Sequence, residues 1–213
     1  MRLLDLYLKG GVIMHLITIS LVLMIYVVIE KFLTLRRAKA NVKEFIISIR
    51  GLVKSGSIPE IIDYCNTHNT PISRIFKQGI LKLGFGDEKV REAIEMAGRS
   101  EVFGLEKRLN ILATIAGVAP LLGFLGTVTG MINAFMTIQA LGGIVSPSDL
   151  AGGIWEALLT TAYGLIVGIP AYGLYNYFVT KINRLVHEIE IATAEFIDIL
   201  SSEEFKNQVK SDK

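Results

Sequence analysis

The chain has 213 residues, of which 51% are hydrophobic and 20% are charged, and its formal net charge is +2. This near balance lacks the basic excess of a nucleic-acid-binding protein. The single cysteine, Cys65, excludes an internal disulfide framework and a thiolate zinc site, and the three histidines lie far apart without paired metal-ligand spacing. The charges are concentrated in two segments, and the three long apolar stretches that remain indicate a membrane protein.

The first apolar stretch covers residues 12–29 and contains no Asp, Glu, Lys or Arg. At 1.5 Å per residue it extends over roughly 27 Å, just enough to cross the core of a bilayer. Residues 1–11 mix leucines with charges, and we expect an external amphipathic segment there. No small-residue cleavage site follows the stretch, whereas Glu30 and Lys31 do, so we predict an uncleaved anchor.

Residues 30–108 carry most of the charges, and their apolar residues recur with a helical period, which predicts a cytoplasmic helical segment. Turn-forming residues interrupt this segment at 55–57, 66–71 and 84–87. No strong helix breaker follows the last of these turns. We therefore predict one continuous helix over residues 88–141, which would run from the cytoplasm through the second span.

The rest of the chain is predicted to form two more spans and a tail. We place the second span at residues 109–141, an external hairpin at 142–153, the third span at 154–179 and a cytoplasmic tail helix at 180–213. The third span continues into the tail without a breaker. The predicted fold is an all-α membrane protein with three transmembrane helices, two of them long and extending into a cytoplasmic helical bundle.

The distribution of Lys and Arg predicts the orientation. Residues 30–108 contain 15 of the 22, the chain from residue 181 onward contains 5, the first eleven residues contain 2, and residues 142–153 contain none. Basic residues near span ends favour the cytoplasmic side. We predict a multi-pass protein of the bacterial inner membrane with a periplasmic N-terminus and a cytoplasmic C-terminus.

Small residues distinguish the second and third spans from the first, which is rich in Leu, Ile and Val and is expected to face lipid. Small residues four positions apart let membrane helices approach closely. Helix packing alone is the simplest role for such glycines. The positions that we predict to pack are Gly123, Gly126, Gly130, Gly164 and Gly168.

Glu156 is the one ionisable carboxylate inside a predicted span. An acid at the centre of a membrane helix costs roughly 2.5–3.5 kcal/mol, so such a residue usually faces a bundle interior or water. Glu156 lies near the external end of its span, where this cost is lower. Two readings stay open: an interfacial acid that reaches solvent, and a group of an ion pathway.

Thr127, Thr160 and Thr161 place hydroxyl groups at mid-membrane depth. Such a hydroxyl can bond the carbonyl four residues earlier in its own helix, or it can face a hydrated cavity or a partner. Thr160 lies one turn from Glu156 on the same face, and Thr161 lies about 140° around the helix from Glu156. These four residues are our candidates for a proton pathway or a pore lining.

Three sequence patterns resemble the ExbB/TolQ/MotA proton-channel family. Residues 153–171 read G-I-W-E-A-L-L-T-T-A-Y-G-L-I-V-G-I-P-A and are similar to its third-span signature, G-x-x-E-A-L-x-x-T-A-x-G-L-x-x-x-I-P-A. Residues 119–132 resemble A-P-x-x-G-L-x-G-T-V-x-G-x-x, with Phe124 where leucine is common. G-G-x-x-M at residues 10–14 and I-E-K at 29–31 complete the resemblance, which covers nearly the whole chain and favours the three-span ExbB/TolQ branch.

The resemblance implies a homopentameric ring whose second and third spans line a central pore. A dimer of a one-span ExbD/TolR-type partner would sit inside the ring, and its membrane aspartate would take the proton. Thr127 and Thr161 match the family's pore threonines, and Glu156 matches its third-span glutamate. The implied function is a motor and channel subunit that acts with a TonB-type protein in uptake, or, as the alternative, with a TolA-type protein in envelope maintenance as TolQ does.

Three other classes are alternatives to this one: an intramembrane hydrolase, a solute transporter and a membrane scaffold. A solute transporter would show internal inverted repeats, and three spans give no such symmetry. An intramembrane hydrolase would need a paired nucleophile and base or two membrane acids, and the spans supply one acid and one shallow histidine. No cofactor or nucleotide motif is present in the sequence. We therefore predict a protein that is not an enzyme. A non-conducting membrane scaffold remains the second alternative.

Overall fold

The computed structural model of the chain describes residues 11–38, 42–55, 57–141 and 147–201. Within these four ranges the chain forms helices and turns and no β-strand. Most of the predicted amphipathic segment, the first part of the predicted hairpin and the end of the predicted tail lie outside the described residues. The helices are α1 (Gly11–Ala38), α2 (Val42–Ser55), α3 (Ile58–His68), α4 (Pro71–Ile80), α5 (Asp87–Glu106), α6 (Leu109–Ala140) and α7 (Pro147–Ser201).

Three helical stretches are long and apolar enough to cross a membrane: Gly11–Ala38, Asp87–Ala140 and Ala151–Leu200. The prediction of an all-α membrane protein with three such helices is thereby confirmed. The α1 helix buries Met14 and Ile17 and exposes most of its other apolar side chains, as a lipid-facing helix would. The sidedness of the spans stays a prediction.

The chain divides into two compact units. We call the first, made of Met1–Glu30 and Arg108–Phe178, the membrane unit, because it contains the long apolar stretches. The second, made of Lys31–Lys107 and Val179–Lys213, is called the helical unit. Each unit is therefore built from two separate parts of the sequence, so neither is a simple insertion or tail.

The predicted continuous helix over residues 88–141 is wrong. The α5 helix ends at Glu106, and α6 begins at Leu109 after a left-handed residue, Arg108, with φ 67° and ψ −2°. A left-handed non-glycine residue costs about 1–2 kcal/mol. Arg108 makes an ion pair of 2.6 Å with Glu30, and its guanidinium lies 5.9 Å from the Tyr26 ring, so two side chains from α1 contact the residue at the break. The break depends on tertiary partners, which explains why no Gly or Pro marks it.

The third long helix begins earlier than predicted and is otherwise continuous. Because α7 starts at Pro147, residues 147–153 of the predicted hairpin are helical. A proline suits the first turn of a helix, where its missing N–H has no partner to lose. As predicted, the helix continues past Tyr172 through the start of the tail, ending at Ser201.

Aromatic side chains form the core of the helical unit. The rings of Phe76 and Phe196 stack with their centroids 3.9 Å apart, and the ring of Phe45 lies 5.6 Å from that of Phe76. The short α4 helix that carries Phe76 is fixed at its start by a capping box between Thr70 and Ser73. These contacts join α2 and α4 to the last part of α7, so distant sequence segments share one core.

Two basic residues of the helical unit form hydrogen bonds with residues in the second half of α5. Lys31 is only 1% exposed, and its Nζ donates a 2.7 Å hydrogen bond to the carbonyl of Leu105. Carbonyls in the last turn of a helix lack partners within the helix and attract cations. Arg74 holds Glu101 through two bonds, 2.7 Å from Nε and 2.6 Å from Nη2. Both contacts fix how α5 sits within its own unit.

Gly79 in α4 should be required for the packing of the helical unit. A Cβ at this position would lie 2.7 Å from two side-chain carbons of Ile94, which is fully buried. We expect Gly79→Ala to lower the free energy of unfolding by about 1–3 kcal/mol, the usual cost of overpacking a core. The matched control is Gly98→Ala in α5, which has open space around it. Thermal unfolding in detergent measures both, and equal melting temperatures would contradict the packing described here.

The thiol of Cys65 should report unfolding of the helical unit. Burial raises its pKa to about 11. At pH 8 the folded thiol should react with a disulfide reagent on the order of a hundredfold more slowly than an unfolded one, whose pKa is about 8.5. The neutral thiol favours the folded state below pH ~8.5, and this contribution is lost as the pH rises through the folded pKa. Rapid labelling of the native protein at pH 8 would contradict the burial.

Candidate functional site

The second and third membrane helices meet along small residues. In α6 and α7, a Cβ added at any of six glycines would meet atoms of the opposite helix at 3.0 Å or less. Such contact leaves no room for side chains, so the two backbones touch directly. We call these six residues the glycine interface: Gly123, Gly126, Gly130, Gly153, Gly164 and Gly168.

The distances show how close the backbones are. A Cβ on Gly164 would lie 2.6 Å from the carbonyl oxygen of Ala119, and a Cβ on Gly123 would lie 2.9 Å from that of Thr160. Backbone atoms cannot move aside as the end of a side chain can. Pro120, early in α6, contacts Gly168, whereas Ala134, late in α6, contacts Gly153, which precedes Gly168 in α7, so the helices run antiparallel.

Two threonine hydroxyls meet at the centre of the glycine interface. The Oγ1 atoms of Thr127 and Thr161 are in contact with each other. The Thr161 hydroxyl donates to the carbonyl of Gly123 at 2.9 Å, and the Thr127 hydroxyl lies 3.1 Å from the carbonyl of Ala157. Each threonine therefore bonds the backbone of the opposite helix. We call Thr127 and Thr161 the hydroxyl pair.

The hydroxyl pair has acceptor capacity left over. Each hydroxyl has one proton and two lone pairs. The two protons are shared among three contacts, to the carbonyls of Gly123 and Ala157 and between the two oxygens, so at most one of the four lone pairs accepts within the pair and the others can accept a further hydrogen bond. Both threonines are half-buried, so part of each residue is open at the surface of the chain. The pair can accept a proton-bearing group such as water or a neutral carboxylic acid.

Thr160 and Glu156 lie apart from the hydroxyl pair. Thr160 is 1% exposed, lies against Gly126, and donates to the carbonyl of Ala157 in its own helix at 2.9 Å. Its hydroxyl is satisfied locally, which is the simpler of the two roles considered above. The half-buried Glu156 has its carboxylate beside Gly11, at the start of α1. The structure thus brings Thr127 and Thr161 together, whereas Thr160 and Glu156 make their contacts with other residues.

Sequence reasoning missed two members of this arrangement. Gly153 was assigned to the hairpin, but a Cβ there would lie 2.9 Å from the Cβ of Ala134. Its spacing of four residues from Ala157 was a signal that could have found it. The contact between Gly11 and Glu156 had no such signal, because it joins residues 145 positions apart.

The described residues contain no group of three or more His, Cys, Asp and Glu side chains that could hold a metal ion. The polar atoms that α6 and α7 bring together are hydroxyls and backbone carbonyls. Such groups bind and orient a protonated group, and they do not supply a nucleophile with an adjacent base. The arrangement is suited to hydration and hydrogen bonding within the membrane.

The profile of the MotA/TolQ/ExbB proton channel family matches residues 67–191, which is more than half of the chain and includes the whole hydroxyl pair. The chain belongs to this family. Membership confirms the resemblance seen in the sequence, and it makes the three apolar helices transmembrane helices of a multi-pass membrane protein of a proton-channel family.

Three relatives illustrate the family's range. An ExbB homolog of Methanothermobacter thermautotrophicus is 31% identical over 190 residues, which are 88% of this chain and 67% of that protein. The ExbB-like protein 1 of Synechocystis is 33% identical, over 84% of this chain and 71% of that protein. The Tol-Pal system protein TolQ of Haemophilus influenzae is 38% identical, over 53% of this chain and 49% of that protein. This MotA/TolQ/ExbB family member is therefore similar both to ExbB-type proteins and to a TolQ protein.

The glycine interface predicts a sharp difference between two substitutions in α7. Gly164→Ala would place a Cβ against backbone atoms of Ala119 and Gly123, whereas Gly173→Ala would meet nothing within 4 Å. We expect Gly164→Ala to destabilise the membrane unit by about 1–3 kcal/mol and to separate the two hydroxyls. Gly173→Ala should have little effect. Retention of the folded, monodisperse fraction after heating in detergent measures both variants, and the interface described here requires that they differ.

Proposed function

We propose that the chain is a proton-channel and motor subunit that converts the proton motive force into mechanical work on the cell envelope. In this proposal it forms a homopentamer in the bacterial inner membrane, with a dimer of an ExbD/TolR-type one-span partner in the central pore. Thr127 and Thr161 line the pathway. The specific role proposed is that of ExbB in a TonB-dependent uptake system.

The hydroxyl pair is the observation that supports this proposal most. It is a pair of polar groups within two predicted spans, on helices that otherwise meet through glycines, alanines, Thr160 and Pro120. Its lone pairs can solvate a carboxyl group in both of its forms, directly when that group is neutral and through water when it is charged. Threonines do not themselves carry protons at neutral pH. They suit a site where another group is protonated and released.

The acid that titrates is proposed to come from another protein. Glu156 is the one carboxylate inside a predicted span, and its carboxylate lies beside Gly11 at the start of α1. The hydroxyl pair contains no acid, so a proton pathway through it needs a carboxylate supplied by a partner. A single-span chain of the ExbD/TolR type, whose membrane aspartate the family resemblance implies, meets this need.

The energy available fits one step per proton. One charge that crosses a potential of 100 mV releases ~2.3 kcal/mol. In a ring of identical subunits around a dimer, several positions of the dimer are nearly equivalent in energy. Gain or loss of a proton by one aspartate would change how that aspartate is bound at a hydroxyl pair, and the dimer would then turn by one position. A difference of about 2 kcal/mol is enough to bias such a step by more than tenfold.

The orientation follows from the basic residues. In this proposal the N-terminus is periplasmic and the C-terminus is cytoplasmic, because 20 of the 22 Lys and Arg residues (15 in residues 30–108 and 5 from residue 181) then lie on one side. The helical unit is cytoplasmic in this arrangement. It contains the Lys31 and Arg74 contacts that fix α5.

TolQ of a Tol-Pal system is the alternative role. The similarity to the Haemophilus influenzae protein favours it, and the longer matches to ExbB-type proteins favour the uptake role. The two roles differ in the partner that is moved, a TonB-type or a TolA-type protein. Co-purification of the chain from its own cells with its partners, identified by mass, separates them.

The central test replaces the hydroxyls while keeping the shape. Thr127→Val and Thr161→Val remove one polar atom each and retain a β-branched side chain. We expect each to lower proton flux through vesicles containing the chain and its one-span partner by at least about tenfold. The matched control is Thr129→Val, since the Thr129 hydroxyl is exposed and bonds the carbonyl of Leu125 in its own helix.

Assembly must be measured beside flux, by native mass of the purified complex. Loss of flux with the oligomer preserved supports the proposed channel. Normal proton-dependent output in both variants, with assembly intact, would favour the non-conducting scaffold. An equal loss of flux in Thr129→Val would mean that any hydroxyl in α6 matters, and it would contradict a specific role of the pair.

A further inference from the structure

The carboxylate of Glu156 lies against the first residue of α1. A Cβ placed on Gly11 would be 3.0 Å from Oε1 of Glu156. Both residues belong to the membrane unit, and the contact joins the start of α1 to α7. Thr18 makes a second contact between these helices, 3.4 Å from its hydroxyl to that of Tyr163. The start of α1 is therefore held beside the turn of α7 that carries Glu156.

Two features of Gly11 make this approach possible. Its φ is +61°, in the left-handed region where a residue with a side chain is strained. Its missing side chain also leaves the space that the carboxylate occupies. Gly11 thus lets the carboxylate approach the backbone of α1 closely.

The geometry points to Gly11 as a positioning residue for Glu156: because Gly11 has no side chain, the carboxylate can lie against α1, and this contact fixes the turn of α7 that borders the hydroxyl pair. The link to the pair is short. Ala157, the next residue, supplies the carbonyl that lies 3.1 Å from the Thr127 hydroxyl. The functional part of this inference rests on the proposed proton pathway, while the contact itself does not.

The test is a double-variant cycle with a shorter acid. Gly11→Ala adds a Cβ against the carboxylate, and Glu156→Asp withdraws the carboxylate by one methylene. We expect Gly11→Ala to lower the melting temperature by about 6 °C in the wild-type background and by about 3 °C in the Glu156→Asp background. The strain of a side chain at positive φ is the same in both backgrounds, so the difference between the two changes in melting temperature measures the contact between residue 11 and the Glu156 carboxylate. Fluorescence of Trp155, the single tryptophan and the neighbour of Glu156, reports the transition.

Proton flux per assembled complex is the second readout. Gly11→Ala alone should lower the flux by about fivefold relative to wild type. In the Glu156→Asp background, adding Gly11→Ala should lower the flux by less than about twofold. Gly117→Ala in α6, a helical glycine with nothing within 4 Å, is the matched control and should change neither quantity.

The outcomes separate this inference from the proposed function. If Gly11→Ala lowers the melting temperature equally in the two backgrounds, the effect comes from strain at Gly11 alone and the inference is overturned. It is also overturned if the melting temperature falls in neither background. A melting-temperature difference without any flux change would retain the contact and overturn its role in positioning. If Thr127→Val and Thr161→Val leave flux intact, the channel proposal fails, and the thermal cycle still decides whether Gly11 holds Glu156.

Discussion

Direct contact between the backbones of α6 and α7 is the constraint on which the rest of the membrane unit depends. Lipid tails are as apolar as leucine, so two membrane helices gain little from burying large apolar side chains against each other. They gain from close packing, and the glycine interface provides it. A Cβ at Gly164 or Gly123 would meet backbone atoms within 3.0 Å. At this distance a threonine of one helix bonds a carbonyl of the other.

The hydroxyl pair is a consequence of that distance. Thr161 reaches the Gly123 carbonyl at 2.9 Å, and Thr127 lies 3.1 Å from that of Ala157. Hydrogen bonds between membrane helices are individually modest, about 0.6 kcal/mol on average in measured cycles. The pair therefore contributes less to stability than the glycine contacts around it. Its value in the proposed mechanism is the polar surface that it offers to another protein's carboxyl group.

Much of the fold could be predicted from the sequence because membrane spans and small-residue spacing are local signals. The three apolar stretches and the continuation of α7 past Tyr172 followed from them. The break at Arg108 could not be predicted from local signals, because the contacts of Arg108 are with Glu30 and Tyr26, 78 and 82 residues away. The start of α7 at Pro147 was missed because glycine and proline in residues 142–153 indicate a turn as readily as a helix start.

For the site, sequence placed Thr127 and Thr161 at similar depth but could not show that they touch. That required the register of α6 on α7, which is set by the whole glycine interface, including Gly153. Helical spacing did separate Thr161 from Thr160, and in the structure Thr160 bonds its own helix while Thr161 bonds the other. Residue spacing could not predict that Glu156 lies beside Gly11, because helix periodicity describes one helix at a time.

The most direct measurement is an experimental structure of the assembled complex in lipid, at a resolution that shows side chains. The account predicts a ring in which the Thr127 and Thr161 hydroxyls of each subunit face a central hydrated space, within hydrogen-bond reach of a partner's carboxyl group or of water bound to it. Hydroxyls that face lipid, or a purified protein that is monomeric in the membrane, would contradict it.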